Sequence, residues 1–377
     1  MVSGERYAVS GQEPDRSARV ARPGADREAS ASRSPLTAHR SPTLVIQTAF
    51  LGDVVLTTPL LAALAAVHGP VDVVTTPAAA DLIETHPAVA TVIRYDKRGA
   101  ERGLRGVWRL SRRLRSRGYL RAYLPHRSWR SAALARLAGI GERVGFADSP
   151  AATTYTRRVV RPTGGHEVER LLALVGRVDG TPAVRIVPTA EDQSDADRWL
   201  RERGVEPGFV AVAPGSIWGT KRWPGYGKLV SLLDRPVVIV GGREDAHTAS
   251  EVMAAAPGRT HSAAGALSLR ASAALLARAA VLVTNDSAPL HLATAVGTPI
   301  VAVFGPTVPG FGFGPRGARD QVVEHPSLGC RPCSAHGPQV CPLGHHRCMR
   351  ELSVETVARA IRAALGVEAH GAIRTGH

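Results

Sequence analysis

The chain has 377 residues, room for two domains of ordinary size, and 44% of them are hydrophobic, enough for full cores although aromatics make up only 5%. No run reads as the roughly 18 consecutive apolar residues that span a bilayer, and residues 1–42 hold no apolar core of a secretory signal. The expectation is a cytoplasmic protein whose four cysteines are reduced. Net charge is +15, which points to an anionic partner or surface.

In chain order, residues 1–42 are rich in Ser, Arg, Pro and Gly and are expected to form a disordered arm. The arm holds seven Arg against five acids, so it does not account for the charge. TLVIQT (residues 43–48) then reads as a buried strand, followed by FLGDVVLTTPLLAAL (residues 50–64) with a helix over 59–67. Asp53 stands between a glycine and that apolar helix. An aspartate there caps free N–H groups, or serves chemistry at the tip of a first strand. Further strands are expected at 71–76, 90–96 and 119–125, with helices over 101–118, 128–137 and 166–178. Alternation of this kind predicts βαβ units and a parallel sheet. Residues 179–193, DGTPAVRIVPTAEDQ, read as a linker.

The rhythm restarts with strands at 209–216, 236–242, 280–286 and 299–305 and helices over 225–233, 245–255, 268–278 and 289–296. Two Rossmann-like lobes facing a cleft are predicted, over 43–183 and 184–328. A Cys-rich segment (329–349) and a C-terminal helix and tail (350–377) follow. In such sheets ligands bind beyond the carboxyl ends of the strands, where Asp53, Ser216, Gly241 and Asp286 all fall. No GxGxxG follows the first strand and no GxxxxGK[ST] occurs, which removes support for dinucleotide-dependent oxidoreductases and P-loop NTPases. GFGFGPRG (residues 310–317) reads as a loop.

Charge concentrates between residues 94 and 143, with fifteen Lys/Arg against three acids, 15 − 3 = +12. Within it, ERGLRGVWRLSRRLRSRG (residues 101–118) has helical period. Leu104, Val107, Trp108 and Leu114 are expected on one side, with Arg102, Arg105, Arg109, Arg112 and Arg113 over much of the rest. A basic amphipathic helix suits a membrane leaflet or phosphorylated lipid; an ordinary solvated helix is the plain alternative. Nucleic acid is not expected, because no binding module appears.

TNDSAPLHLATAVGTP (residues 284–299) suits a helix capped by Asp286 or Ser287, with Pro289 in its first turn and Gly297 closing it. The N–H groups of Ser287 and Ala288 would then form an anion site fit for a nucleotide diphosphate. His291, one turn on, reaches a phosphate or sugar oxygen or is a satisfied core histidine. APGSIWGTKRWPGYG (residues 213–227) carries Ser216, Lys221 and Arg222; Lys221 is expected to neutralise charge on a departing diphosphate. In GGREDAH (residues 241–247), Glu244 or Asp245 is a candidate acceptor for a ribose hydroxyl.

LGDVVLTTPLL, PGSIWGTKRWP, VIVGGRED, LVTNDSAPLHLATAVGTPIVAVFGPT and CRPCSAHGPQVCPLGHHRCM occur in this order between residues 43 and 365. Together they resemble the ADP-heptose:lipopolysaccharide heptosyltransferases of glycosyltransferase family 9, and the Cys-rich tail is most similar to the heptosyltransferase II branch. The resemblance implies an α/β GT-B fold and an inverting transfer without catalytic cofactor or metal. It implies ADP-heptose as donor and the inner core on lipid A as acceptor, at the inner face of the cytoplasmic membrane. By motif, Asp53 matches the catalytic base, Lys221 the lysine at the donor phosphates, and Ser216 the hydroxyl residue of that loop. Asp286, Ser287 and His291 match the donor-binding segment. The family reads Asp-Ser-Gly or Asp-Thr-Gly there, and this chain has Ala288, whose methyl alters close backbone approach to a diphosphate. Two alternatives stay open: a family 9-type transferase with another sugar or a protein acceptor, and a non-catalytic sugar-nucleotide binder at the membrane surface.

Cys330, Cys333, Cys341 and Cys348 are spaced C-x2-C-x7-C-x6-C. Four thiols in nineteen residues of a reduced protein are expected to hold one structural zinc or iron ion, or to remain an unmetallated cluster.

Overall fold

Short runs of Val, Ile, Leu and Ala bounded by turn residues become inner strands buried on both faces, as parallel sheets require. The computed structural model describes residues 42–177 and 180–366. The arm expected over 1–42, apart from Pro42, and residues 367–377 of the expected tail lie outside them.

The first half runs β1 (Thr43–Ile46), α1 (Leu51–Leu56), α2 (Thr58–His68), β2 (Val71–Thr75), α3 (Pro77–Ile83), β3 (Val89–Arg94), α4 (Gly103–Arg115), β4 (Arg121–Leu124), α5 (Trp129–Leu137), β5 (Glu142–Phe146), β6 (Arg157–Val159) and α6 (Glu167–Leu172). The second runs α7 (Ala190–Arg201), β7 (Val210–Ala213), α8 (Tyr226–Ser231), β8 (Val237–Ile239), α9 (Ala246–Ala254), β9 (Thr260–Ser262), α10 (Leu269–Leu276), β10 (Val281–Asn285), α11 (Ala288–Val296), β11 (Ile300–Phe304), β12 (Gln321–Glu324), α12 (Arg347–Arg350) and α13 (Val354–Leu365).

All pairings are parallel. The sheets run β3-β2-β1-β4-β5-β6 and β9-β8-β7-β10-β11-β12. Each is the doubly wound order 3-2-1-4-5-6, whose crevice opens where the order reverses, between β1 and β4 and between β7 and β10. Register at these points pairs Val45 with Tyr123 and Thr284 with Ala213.

Alternation along the strands sorts the core into layers. Leu44 and Ile46 pack outward with Leu110 and Leu114 of α4, while Val45 points to the other face. There it joins a core that continues into the second lobe through Leu200, Ala211, Leu282 and Leu290. The outer face of the second sheet carries Val210, Val212, Val281 and Val301 with Val357 and Ile361 of α13. Lobe-to-lobe polar contacts reinforce the shared layer. Arg270 of α10 binds Glu84 (2.6 Å) and the Asp81 carbonyl (2.7 Å) across the lobes while Asp192 of its own lobe (2.7 Å) holds it, and the Thr85 hydroxyl donates to the Val187 carbonyl (2.6 Å).

The structure corrects several expectations. Residues 51–68 are apolar enough in length and mean hydropathy (1.6) to cross a membrane, contrary to the sequence reading. They break at Thr57, and 61% of the stretch is buried inside the protein, so they serve as core helices. The supposed linker already contains α7. Its start is set by Thr189, whose hydroxyl accepts the Asp192 N–H (3.1 Å) while the Asp192 carboxylate accepts the Thr189 N–H (2.9 Å). The helix expected to reach 178 stops at Leu172, shortly before Gly176 at φ 99°. On α4, Val107, Leu110, Ser111 and Leu114 are buried, but Leu104 (88% exposed) and Trp108 (56%) lie among the arginines instead.

Candidate functional site

Asp53 is the third residue of α1, not its cap. The cap position is Phe50, in extended conformation and without a side-chain cap bond. Asp53 Oδ2 accepts the Phe50 N–H at 3.0 Å, so the carboxylate fastens the helix start from within. Burial pushes its pKa up, against the lowering pull of that N–H and of Arg161. A carboxylate held this way is a stronger base than a solvated one.

Around Asp53 the carboxyl edge of the first sheet is basic, through residues that sequence reasoning missed. Lys97, beyond β3, donates to the Thr48 carbonyl. Arg127, beyond β4, pairs with Asp148 at 2.6 Å. Arg161, beyond β6, pairs with Glu167, and Arg170 donates to the Phe311 carbonyl at 2.7 Å. Arg161, Arg170 and Asp148 from the first lobe, with Gly310 and Phe311 from the second, line a cavity of about 330 Å³. Burial raises the Glu167 pKa, Arg161 and Arg170 oppose that, and Asp53 adds to it. The available signal was positional, a basic residue just beyond β3, β4 and β6. It was weak at Arg161 because β6 has three residues.

In the second lobe Lys221, on the loop after β7, meets Asp286, on the loop after β10. Lys221 Nζ lies 2.5 Å from Asp286 Oδ2 and 3.1 Å from the Asp286 carbonyl, and the Thr307 hydroxyl donates to the same carboxylate at 2.7 Å. The Ser216 carbonyl accepts two bonds from Arg222 (2.9 and 2.8 Å), and its hydroxyl accepts the Trp218 N–H at 3.2 Å. Buried Asn285 joins the loops after β7 and β10, donating to the Pro214 and Gly215 carbonyls and accepting from Trp223 N–H and the Tyr226 hydroxyl. Ser287 occupies the cap position of α11 without a side-chain cap bond, Ala288 is the first helical residue, and Gly297 at φ 77° ends the helix. Glu244 is exposed on the turn before α9. Its neighbour Asp245 accepts the Gly242 N–H at 2.9 Å and fills the space above Gly215 and Gly241.

His291 is buried in α11 and set against α1 and Phe313, its ring edge-to-face with Phe313 at 6.4 Å. A Cβ on Gly52 would stand 2.5 Å from His291 Cδ2, so only glycine permits this approach. Burial pushes the imidazole down to about 4, which keeps it neutral. The contact brings α1, with Asp53, directly against α11, which begins two residues after Asp286.

Arg105, Arg109 and Arg112 of α4 are all exposed; Arg109 donates to the Ala100 carbonyl (3.1 Å) and Arg112 lies over the Trp108 ring at 4.8 Å. The expected metal centre is not assembled. Among the described residues no three His, Cys, Asp or Glu side chains are grouped to hold an ion. Cys348 is buried in the apolar core behind β12, and burial, with the nearby thiols of Cys333, Cys341 and Cys330 adding to it, pushes its thiol up to about 11. Cys333 Sγ instead meets the Cys330 carbonyl (3.4 Å), and Cys341 Sγ accepts the His346 N–H (3.4 Å).

Comparison with known proteins bears on this arrangement. Residues 107–341 match the family model described as glycosyltransferase family 9 (heptosyltransferase). Lipopolysaccharide heptosyltransferase 1 of Pseudomonas aeruginosa is 31% identical over 309 residues, 77% of this chain and 85% of that protein. Lipooligosaccharide heptosyltransferase 2 of Haemophilus influenzae is 29% identical over 163 residues, 38% of this chain, and the match spans about half (47%) of that relative. The solved structure of E. coli ADP-heptose lps heptosyltransferase II superposes with a TM-score of 0.70 at 23% identity, covering 86% of this chain and 99% of that one. The two doubly wound lobes are thus the GT-B fold. With a family model over more than half its length and a relative this similar across most of both sequences, the chain belongs to glycosyltransferase family 9.

Proposed function

We propose that this protein transfers heptose from ADP-heptose to the inner core of lipopolysaccharide on lipid A, with inversion, without a metal ion, and with Asp53 as general base. The observation that carries this reading is the close approach of Gly52 to His291, which sets Asp53's helix against the helix that opens on Asp286 and Lys221. An acceptor hydroxyl beside Asp53 gives its proton to the carboxylate as its oxygen bonds to the sugar carbon. The bond from that carbon to the diphosphate breaks on the opposite side, and ADP leaves. Lys221 turns from the Asp286 carboxylate toward the diphosphate and offsets the charge that grows there, the part a metal ion plays in other transferases. Backbone N–H groups at the start of α11 add to it.

The basic edge formed by Lys97, Arg127, Arg161 and Arg170 suits an acceptor bearing phosphate or carboxylate groups. On α4, Arg105, Arg109 and Arg112 with exposed Leu104 and Trp108 suit peripheral docking on the anionic inner face of the cytoplasmic membrane. One observation favours a second reading within the family. Ala288 is the first residue of α11, and its methyl narrows the approach of a diphosphate, which fits a different activated sugar. Turnover of ADP-heptose and of other ADP- and UDP-sugars against truncated lipid A cores tests both. ADP-heptose consumption with a core acceptor is expected; preference for another donor would favour the second reading, and no turnover with any donor would refute both.

A further inference from the structure

Several residues of the Cys-rich segment make polar contacts with the loop that carries Ser216 and Lys221. The Gln339 side chain runs along that loop like a short strand, Oε1 accepting the Gly219 N–H (3.1 Å) and Nε2 donating to the Ile217 carbonyl (2.9 Å). Thr220 donates its N–H (3.3 Å) and its hydroxyl to the Pro338 carbonyl, and His346 Nε2 bonds the Thr220 carbonyl at 2.8 Å. Gly219 has to be glycine, because a Cβ there would stand 2.4 Å from the Gln339 carbonyl oxygen. Loop and segment are therefore one braced unit.

That brace delivers His336 to the cleft. Its ring is parallel to Trp218 (8° between planes, centroids 6.1 Å apart) and edge-to-face with Phe50 (64°, 5.9 Å). Parallel rings with centroids this far apart are strongly offset, so His336 leaves part of the indole face open. Phe50 and His336 are exposed and Trp218 is half-buried. The three rings form a ledge with ends tied to the two sites of chemistry. Phe50 gives its N–H to Asp53, and Trp218 precedes Lys221 by three residues.

We propose that Trp218, His336 and Phe50 form the platform on which the ring of the glycosyl unit in transit packs. The inference rests on the transfer proposed above. In a single displacement the sugar carbon lies between the base and the departing diphosphate, so a surface running from Asp53's neighbour to Lys221's loop runs alongside the sugar. A pyranose face presents weakly positive C–H bonds, and the electron-rich aromatic face attracts them. Such a platform recognises the sugar and is indifferent to the nucleotide, and the Cys-rich segment becomes part of the donor site.

The test measures binding of ADP and of ADP-heptose by the full chain, wild type and with Trp218→Ala, Trp218→Phe and His336→Ala, together with turnover on a truncated core acceptor. Trp218→Ala should weaken ADP-heptose by about tenfold, or ~1.4 kcal/mol, with ADP affinity unchanged; Trp218→Phe should retain most of the binding, and His336→Ala should show a smaller sugar-specific loss. Should Trp218→Ala not fold, the Trp218→Phe and His336→Ala pair carries the comparison. Equal losses for ADP and ADP-heptose, no loss for either, or a change confined to the acceptor KM would each overturn the platform. Wild-type protein that turns over ADP-heptose while its variants behave in one of those ways refutes the platform alone. Absence of wild-type turnover refutes the transfer and the platform with it.

Discussion

Gly52→Ala should slow the reaction more than it harms the fold. Gly52 is the second residue of α1, where alanine would gain up to about 1 kcal/mol in helix propensity. Against that, the new Cβ would stand 2.5 Å from His291 Cδ2 and 3.2 Å from Nε2. Carbon atoms pack at about 3.5–4.0 Å, so the two helices must part by roughly 1 Å. His291 is only 6% exposed and sits against Phe313, so its ring has little room to yield. Overpacking of this kind costs about 1–3 kcal/mol, which exceeds the propensity gain. A net loss near 1 kcal/mol lowers Tm by roughly 2–4 °C in domains of 150–250 residues. Asp53 is the next residue and moves with the helix, and a misplacement of about 1 Å costs on the order of 10²-fold in rate. Initial rates with ADP-heptose and thermal scans measure both effects. In a His291→Ala background, which opens the space, the same glycine change should cost little. Wild-type rate and Tm for Gly52→Ala would refute the argument that this contact aligns the lobes.

Asp53→Asn should fold, because its amide oxygen still accepts the Phe50 N–H, yet kcat should fall by roughly 10²–10⁴; near-normal turnover would remove Asp53 as the base. Because burial raises the Asp53 pKa, kcat/KM should decline with falling pH through a value above the ordinary ~3.9. Arg161→Gln, which removes an opposing charge, should move that limb higher, and an acid limb at or below the ordinary value would contradict the environment described. Lys221→Ala leaves the Asp286 carboxylate with only Thr307 of its two side-chain partners and should lower kcat/KM for the donor and weaken ADP; an effect confined to the acceptor would assign Lys221 to the other side of the cleft. Replacing Arg105, Arg109 and Arg112 by Ser should weaken binding to anionic vesicles while turnover of a soluble, delipidated acceptor changes less. Equal losses on both would mean that these arginines hold the fold or the core sugar.

The positions of Asp53, Ser216 and Asp286 were legible because each follows a run of β-branched residues at a strand's carboxyl end, where doubly wound sheets gather ligands. Sequence period placed the α4 helix but not its phase. Leu104 and Trp108 were expected on one side with Val107 and Leu114, yet they lie exposed among arginines whose aliphatic stems cover apolar surface. The start of α7 was hidden because Asp192, in place of the usual Glu, closes its capping box. Cysteine spacing suggested a metal, but spacing is blind to the direction in which α12 turns, and Cys348 faces the core. The basic edge at Arg161 and Arg170 and the pairing of Lys221 with Asp286 depend on contacts far apart in sequence. No local pattern encodes them.

The hydrophobic layer that runs unbroken from Val45 to Leu290, tied across by Arg270 and Glu84, bears on how such enzymes can be recombined. A chimera that swaps one half for that of a relative cuts through a core, not through a hinge between independent modules. To fold, it must inherit matched partners on both sides: a glycine opposite the histidine, an acid opposite the arginine, and apolar side chains whose volumes interlock. Exchanging acceptor preferences by shuffling halves will therefore succeed only between parents whose inner faces already fit, whereas grafting the loops at the strand ends leaves that shared layer untouched.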